Sequence, residues 1–359
     1  MAAPEVTLAL AAPSAETRSR RWMAGIAATF QAAAARAGGI VETCYRIGGR
    51  SVRLQFAGPA LVPKLTPALT HLATSHHLPP ALTVRLWDSA STTTTMPSPP
   101  WTTHDYRPRG EVQGYNDDQL RTLYDGGSGT LSVLESVRNL GYFWIRDAGD
   151  IPYYESGAPL RAILNWWMSR HARLCIHGAA VGTRRGAALL VGRGGSGKST
   201  TALACLAAGM LYVGDDYCLV PSDGTASVHS LYSSAKLDPR NLWRLPGLAS
   251  LVSNADRLQA EKALLFLHEH SPGQTVPDLP LRVVLLPTVG GHAATRFSPA
   301  SSASALLALA PSTVFQLGPA PAALQVMSHL VRQLPCYRLH LGTDLGGVAD
   351  AIARVIAEA

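Results

Sequence analysis

Nine residues, Gly192-Arg193-Gly194-Gly195-Ser196-Gly197-Lys198-Ser199-Thr200, constrain this chain more than any other stretch. They join an apolar run, Ala187 to Val191, to a helix-forming one, Ala202 to Ala208. Strand, glycine-rich loop and helix in that order make a phosphate-binding P-loop. The glycines let successive N–H groups curl toward phosphate oxygens, and the new helix presents its positive end. Lys198 supplies a mobile cation, and the Ser199 hydroxyl can hold Mg²⁺. The same residues also satisfy Gly-x-Gly-x-x-Gly, with the acidic pair Asp215-Asp216 about 20 residues on, as a dinucleotide-binding fold requires. That fold has no use for Lys198-Ser199, whereas a nucleoside triphosphate site needs both.

The acidic pair arrives 17 and 18 residues after Lys198. That leaves room for one helix, Ser199 to Ala208, ended by Gly209, and one returning strand, Leu211 to Gly214, expected beside the P-loop strand. Asp215 and Asp216 then lie at the carboxyl end of that strand, on the phosphate side of the sheet. One carboxylate can orient a metal and the other can accept a proton from an attacking hydroxyl. Upstream, His177 closes the apolar run Leu174-Cys175-Ile176, 15 residues before Gly192. Its strand can bring it toward the same site.

Together, His177-Gly178, Gly192 to Thr200 and Gly214-Asp215-Asp216 resemble the catalytic domain of the HPr kinase/phosphorylase family and its bacterial serine-kinase relatives, some of which act on lasso-peptide precursors. The resemblance covers roughly Leu174 to Val220 well and the rest loosely. It implies a P-loop kinase domain of the HPr kinase/PEP-carboxykinase-like type. His177 then assists phosphoryl transfer, Lys198 binds phosphate, Ser199 is a Mg²⁺ ligand and Asp216 takes the proton of a serine hydroxyl; the remaining carboxylate of the pair, Asp215, is expected to hold the metal with Ser199. It also implies a homo-oligomer. The family's glutamate-bearing, glycine-rich segment after the aspartates and its later basic segment are absent. In their places stand His229 to Asp238 and Leu281-Arg282-Val283-Val284, so the resemblance extends neither to the phosphorylase reaction nor to HPr as acceptor. Lys236 and Arg282 are the cations there that could stabilise transferring charge.

The formal charge of +7 comes from 31 basic and 24 acidic residues in a sequence only 15% charged, with no lysine run. Nucleic acid is therefore not an expected partner. Five scattered cysteines, an odd number, read as buried free thiols of a reducing compartment. The apolar patch Val6 to Ala12 follows Glu5 and is too short for a secretory core. No run reaches membrane-spanning length, and a cytoplasmic protein is expected.

Along the chain, an amphipathic helix from Thr17 to Ala35 precedes strands at Ile40–Ile47, Val52–Phe56 and Leu82–Trp87. Ser89 to His104, rich in Ser, Thr and Pro, reads as a loop. Strands follow at Leu131–Leu134 and Tyr142–Arg146, with the turn Asp125 to Gly129 before them. A helix from Ala158 to His171 carries Trp166 and Trp167, one expected to face inward and one to meet a neighbouring domain or subunit. After the P-loop unit come a strand at Arg282–Leu286, helices at Ser302–Ala308 and Ala322–Leu334, a strand at Cys336–Leu341 and a helix from Leu345 to Ala357. His268-Glu269-His270 reads as a solvated helix end rather than a metal site. The expected organisation is α/β: residues 1–150 form a mixed α+β region for acceptor recognition or oligomer contacts, and residues 151–359 form the P-loop domain.

The expected activity is ATP- and Mg²⁺-dependent phosphorylation of a hydroxyl on a peptide, a small protein or a small molecule. A non-catalytic ATP-binding regulatory module is the alternative.

Overall fold

The computed structural model describes residues 15–75, 79–318, 320 and 322–359, so the Val6–Ala12 patch lies outside the described residues. The chain is mixed α/β. Its first helix, Ala15–Arg36, buries Trp22, Met23, Ile26, Phe30, Ala33 and Ala34. Their three- and four-residue spacing sets them on one face.

That face packs on a six-stranded sheet formed by β1 (Ile40–Ile47), β2 (Arg50–Ala57), β3 (Leu82–Asp88), β4 (Leu120–Asp125), β5 (Thr130–Glu135) and β6 (Leu140–Ile145), in the order β1-β2-β3-β6-β5-β4. β2, β3 and β6 run parallel, and the hairpins at both edges are antiparallel. β4 was not expected from the sequence. Its apolar residues, Leu120, Leu123 and Tyr124, do not alternate, and one of its two buried positions is Thr122, so no strand period shows. The Ser89–His104 segment begins with a helical turn, Ser89–Thr92, capped by Asp88, and then packs inward through buried Thr92, Thr94 and Trp101.

The opposite face of this sheet, with Val52, Leu54, Phe56, Val84 and Phe143, shares one core with Trp167, Tyr217 and Tyr232 from the rest of the chain. The helix expected from Ala158 to His171 is shorter, Arg161–Ser169, because Pro159 and the left-handed Leu160 separate it from the turn Tyr153–Gly157. Both tryptophans are buried. Trp167 donates its indole N–H to Asn139, whereas Trp166 lies under the Arg121 guanidinium of β4, 5.4 Å from its ring centre.

The second sheet has nine strands in two halves that share one strand. Three of its strands precede the glycine-rich loop Gly192 to Gly197: β7 (Arg173–His177), β8 (Ala179–Thr183) and β9 (Gly186–Leu190). After it come β10 (Leu211–Gly214), β11 (Tyr217–Pro221) and β12 (Ser227–Ser230). β13 (Ser234–Leu237) and β14 (Ala263–Phe266) pair separately, and β15 (Asp278–Val289), β16 (Arg296–Pro299) and β17 (Cys336–Leu341) complete the sheet.

β15 pairs with β12 through its first residues and with β9 and β17, in parallel, through its last. The helices Lys198–Ala207 and Leu345–Glu358 cover one face, and Ser302–Leu317 and Ala323–Gln333 the other. The returning strand β10 is not next to β9 as expected. The tight β8–β9 hairpin fills that place, and β10 pairs with β8 instead. β10 still runs in the direction of β9, so Gly214 and Leu190 emerge at the same sheet edge.

Candidate active site

The glycine-rich loop leaves β9 with Gly195 at φ +80° and Gly197 at φ +100°, conformations that favour glycine. A Cβ on Gly197 would stand 2.5 Å from Leu341 Cδ1, so a side chain there would crowd the Leu341 side chain at the end of β17. Gly194 and Gly195 face open space where side chains would stand. Lys198 begins the helix and is buried, its ammonium donating to the carbonyls of Gly192 (2.7 Å) and Arg193 (3.2 Å). The buried Ser196 hydroxyl has no hydrogen-bond partner.

Two chain crossings between the halves of the large sheet meet beside this loop. One is His177-Gly178, between β7 and β8, and the other is Asp215-Asp216, between β10 and β11. Tyr217 pairs with His177 across the strands, and the Gly178 N–H donates to the Asp216 carbonyl at 3.1 Å. Asp216 turns the chain at φ +64°, a left-handed conformation that aspartate tolerates better than most residues. The structure thus brings His177, Lys198, Asp215 and Asp216 to one sheet edge.

The two aspartates differ sharply. Asp215 is fully buried, and neither carboxylate oxygen has a hydrogen-bond partner. Burial pushes its carboxyl up from the usual range, and the charge of Asp216 adds to this; Ser199 and Lys198 act in the opposite direction without forming a hydrogen bond to it. Burial also works against ionised Asp216, but Lys236 outweighs it. The Lys236 ammonium lies 2.9 Å from Asp216 Oδ2 and holds that carboxyl below its usual range. His177 Nε2 lies 3.8 Å from Asp216 Oδ1. Burial, reinforced by Lys198, lowers the His177 imidazole to about 4, so the ring is neutral at pH 7. Thr313, on the helix Ser302–Leu317, accepts the His177 backbone N–H at 3.0 Å and ties that helix to the site.

Lys236 therefore belongs to the site and Arg282 does not. Arg282 sits at an irregularity of β15 and donates to the Arg185 carbonyl of the β8–β9 turn. On the far side of Lys236 the Tyr217 ring has two cationic neighbours, Lys236 Nζ at 5.6 Å and the Arg161 guanidinium at 5.5 Å. Arg161 also donates to the Gln316 carbonyl at 2.7 Å, and Glu155, raised by burial, accepts the Leu160 N–H. Sequence reasoning gave no role to Arg161, Tyr217 or Thr313. The pairing of each depends on strands or helices distant in the chain. His268-Glu269-His270 lies in a turn after β14 rather than at a helix end, with His268 bonded to Thr275 at 2.5 Å. Among the described residues no group of three or more His, Cys, Asp or Glu could hold a metal ion, all five cysteines are free, and no helix is long and apolar enough to cross a membrane.

No family model matches the chain, and no curated protein does. Among solved structures, the HPr(Ser) kinase/phosphatase of Coxiella burnetii aligns over 51% of this chain and 94% of its own, at 10% identity and a TM-score of 0.27. That is a weak likeness of fold.

Proposed function

We propose that the chain is an ATP- and Mg²⁺-dependent kinase that transfers a phosphoryl group to a hydroxyl, with a serine of a peptide or small protein as the favoured acceptor and a small-molecule hydroxyl as the other. The observation that carries this reading is the unequal aspartate pair beside a P-loop. Asp215 is buried with two unpartnered oxygens, and Asp216 is ionised and oriented by Lys236.

The residues present fit nucleotide and metal. Gly194 and Gly195 meet no atom where a Cβ would stand, which leaves their backbone open to a phosphate, and the unpartnered Asp215 carboxylate supplies oxygens of the kind Mg²⁺ takes. Residues Gly192 to Thr200 would hold the phosphates through backbone N–H groups and Lys198, and Ser199 and Asp215 would hold the metal, which would supply charge neutralisation for the transferring group.

Asp216 accepts a hydrogen bond from the acceptor hydroxyl and takes its proton. A carboxylate held below its usual range is a weak base, which suits a reaction whose transition state is loose and in which proton transfer is late. Lys236 keeps Asp216 ionised. His177, neutral and 3.8 Å from the second oxygen, stands close enough to assist once Asp216 has taken the proton.

Incubation of the purified protein with γ-labelled ATP, Mg²⁺ and host extract, fractionated into proteins, peptides and metabolites, tests the reading. Label in one fraction that is absent with Asp216→Asn supports it and names the acceptor class. ATP binding with no fraction labelled overturns it in favour of a regulatory ATP-binding module.

A further inference from the structure

A second concave site lies on the helix-covered face of the six-stranded sheet, built from residues with no part in the P-loop site. It is an open cleft of about 430 Å³ lined by Gln55, Thr83, Arg85, Arg138, Asn139 and His171, together with Pro80, Ala81 and Leu140. No acidic residue lines it among the described residues, although three of its side chains are basic.

Arg85 is its centre. The guanidinium is held between aromatic rings, 5.3 Å from the centre of Phe30 and 5.9 Å from that of Tyr142. Its Nε donates to Gln55 Oε1 at 3.3 Å, and Nη1 reaches the Tyr142 hydroxyl at 3.5 Å. Gln55 in turn donates to Glu42 at 2.6 Å, which fixes its amide with the oxygen toward Arg85. Glu42 thus orients Arg85 through Gln55 without neutralising it, and Arg85 has no carboxylate partner among the described residues. A stacked, partly desolvated guanidinium that still has N–H groups to donate is prepared for a planar two-oxygen acceptor.

The rim adds to this. Arg138 is 66% exposed and meets only Glu135, at 3.4 Å, a surface pair that competes weakly with a ligand. Asn139, in a left-handed conformation at φ +49°, is fixed by the Trp167 indole N–H. His171 Nδ1 donates to the Trp167 carbonyl at 2.8 Å, which sets the ring and leaves Nε2 as its other polar atom.

We propose that this cleft is a carboxylate-binding site in which Arg85 and Arg138 clamp the two oxygens of an acidic group, with His171 and Asn139 at its edge. The carboxylate comes either from a free dicarboxylic acid or from an acidic side chain of a peptide, and its openness to solvent admits both.

The test uses succinate and an acetylated, amidated tetraglutamate peptide as probes, titrated calorimetrically into the full chain at low salt. Phosphate is avoided because the P-loop would take it. Binding should weaken about 10-fold or more in Arg85→Lys, which keeps the charge but loses the fork, and severalfold in Arg138→Ala. It should be unchanged in Lys198→Ala. Arg138→Ala alters an exposed side chain, so its result stands even if Arg85→Lys folds poorly. Succinate bound as tightly as the peptide marks a free acid as the source, and a peptide bound at least 10-fold tighter marks an acidic segment. Absence of binding by both probes, or binding lost in Lys198→Ala but kept in the two cleft variants, overturns the proposal. Neither result bears on the kinase reading, which is tested by label transfer.

Discussion

The two sheets handle a buried carboxylate in opposite ways. In the six-stranded sheet the buried Asp88 carboxylate is satisfied by the Ser91 N–H and hydroxyl, and buried Thr92 bonds to Thr94. At the edge of the nine-stranded sheet the buried groups are left short. Both Asp215 oxygens, His177 Nδ1 and Ser196 Oγ have no partner, and Lys198 is spent on carbonyls of its own loop. Leaving a buried polar group unmade costs about 1–3 kcal/mol, more for a charge. Other side-chain groups go unpartnered in both sheets, Trp87 Nε1 and Thr122 Oγ1 among them, but a buried carboxylate satisfied in one and left short in the other points to atoms kept for something other than folding.

The contrast can be broken most severely through Asp216. Asp216→Asn keeps the left-handed turn, which asparagine also adopts, and should lower phosphoryl transfer about 10²–10⁴-fold while nucleotide affinity stays within a few-fold, read by label transfer and by calorimetry. Lys236→Met strands Asp216 without its counter-charge and should cost about 3 kcal/mol in urea unfolding, because removing one partner of a buried pair leaves the other uncompensated. Asp216→Asn combined with Lys236→Met should recover much of that stability and none of the activity.

A third prediction concerns the junction between the regions, where His71, in the short helical segment Pro67–Leu72, bonds to Ser230 of β12 at 2.6 Å with His268 beside it. Burial, reinforced by His268, lowers the His71 imidazole to about 3. Between about pH 3 and its unfolded value near 6.5, the unfolded chain binds a proton that the folded chain refuses. This contribution is therefore complete above about pH 6.5 and is lost as pH falls, at up to about 1.4 kcal/mol per unit. His71→Gln should flatten the fall in unfolding free energy between pH 6.5 and 4.5; an unchanged slope would show that His71 is not its source.

The smallest effect has the opposite sign. Asp215→Ala, measured without nucleotide or Mg²⁺, should raise stability by about 1 kcal/mol, since it removes a buried carboxylate with no partner. The same change should abolish any stabilisation by Mg²⁺ with nucleotide. A destabilised Asp215→Ala would mean that the carboxylate serves the fold and would erase the contrast.

What the sequence made legible follows the distance between partners. The P-loop, its helix, the returning strand and the aspartates lie within 25 residues, from Gly192 to Asp216, so spacing alone placed them on one edge. His177 was reached because its strand lies only two strands upstream of the loop. The place of β8 between β9 and β10 was not legible, since a five-residue hairpin strand and an adjacent crossover give the same pattern in one dimension. Nor was the pairing of Lys236 with Asp216. β13 has four residues, and the lysine in Ser234-Ala235-Lys236-Leu237 reads as an ordinary surface position until β14 draws the segment under the site. Arg282 shows the reverse. It lies in the strand beside the P-loop strand, yet the irregularity between Leu281 and Val283 turns it to the β8–β9 turn.

The shared strand β15 has a mechanical meaning. His177 and Asp216 stand on the two short crossings that pass from one half of the large sheet to the other, and β15 is the continuous strand that spans both halves. It ties the halves together, and so holds in one frame the two crossings that carry the imidazole and the carboxylate, 3.8 Å apart. A strand that contributes no side chain to the site thus helps to fix the frame in which the site is built.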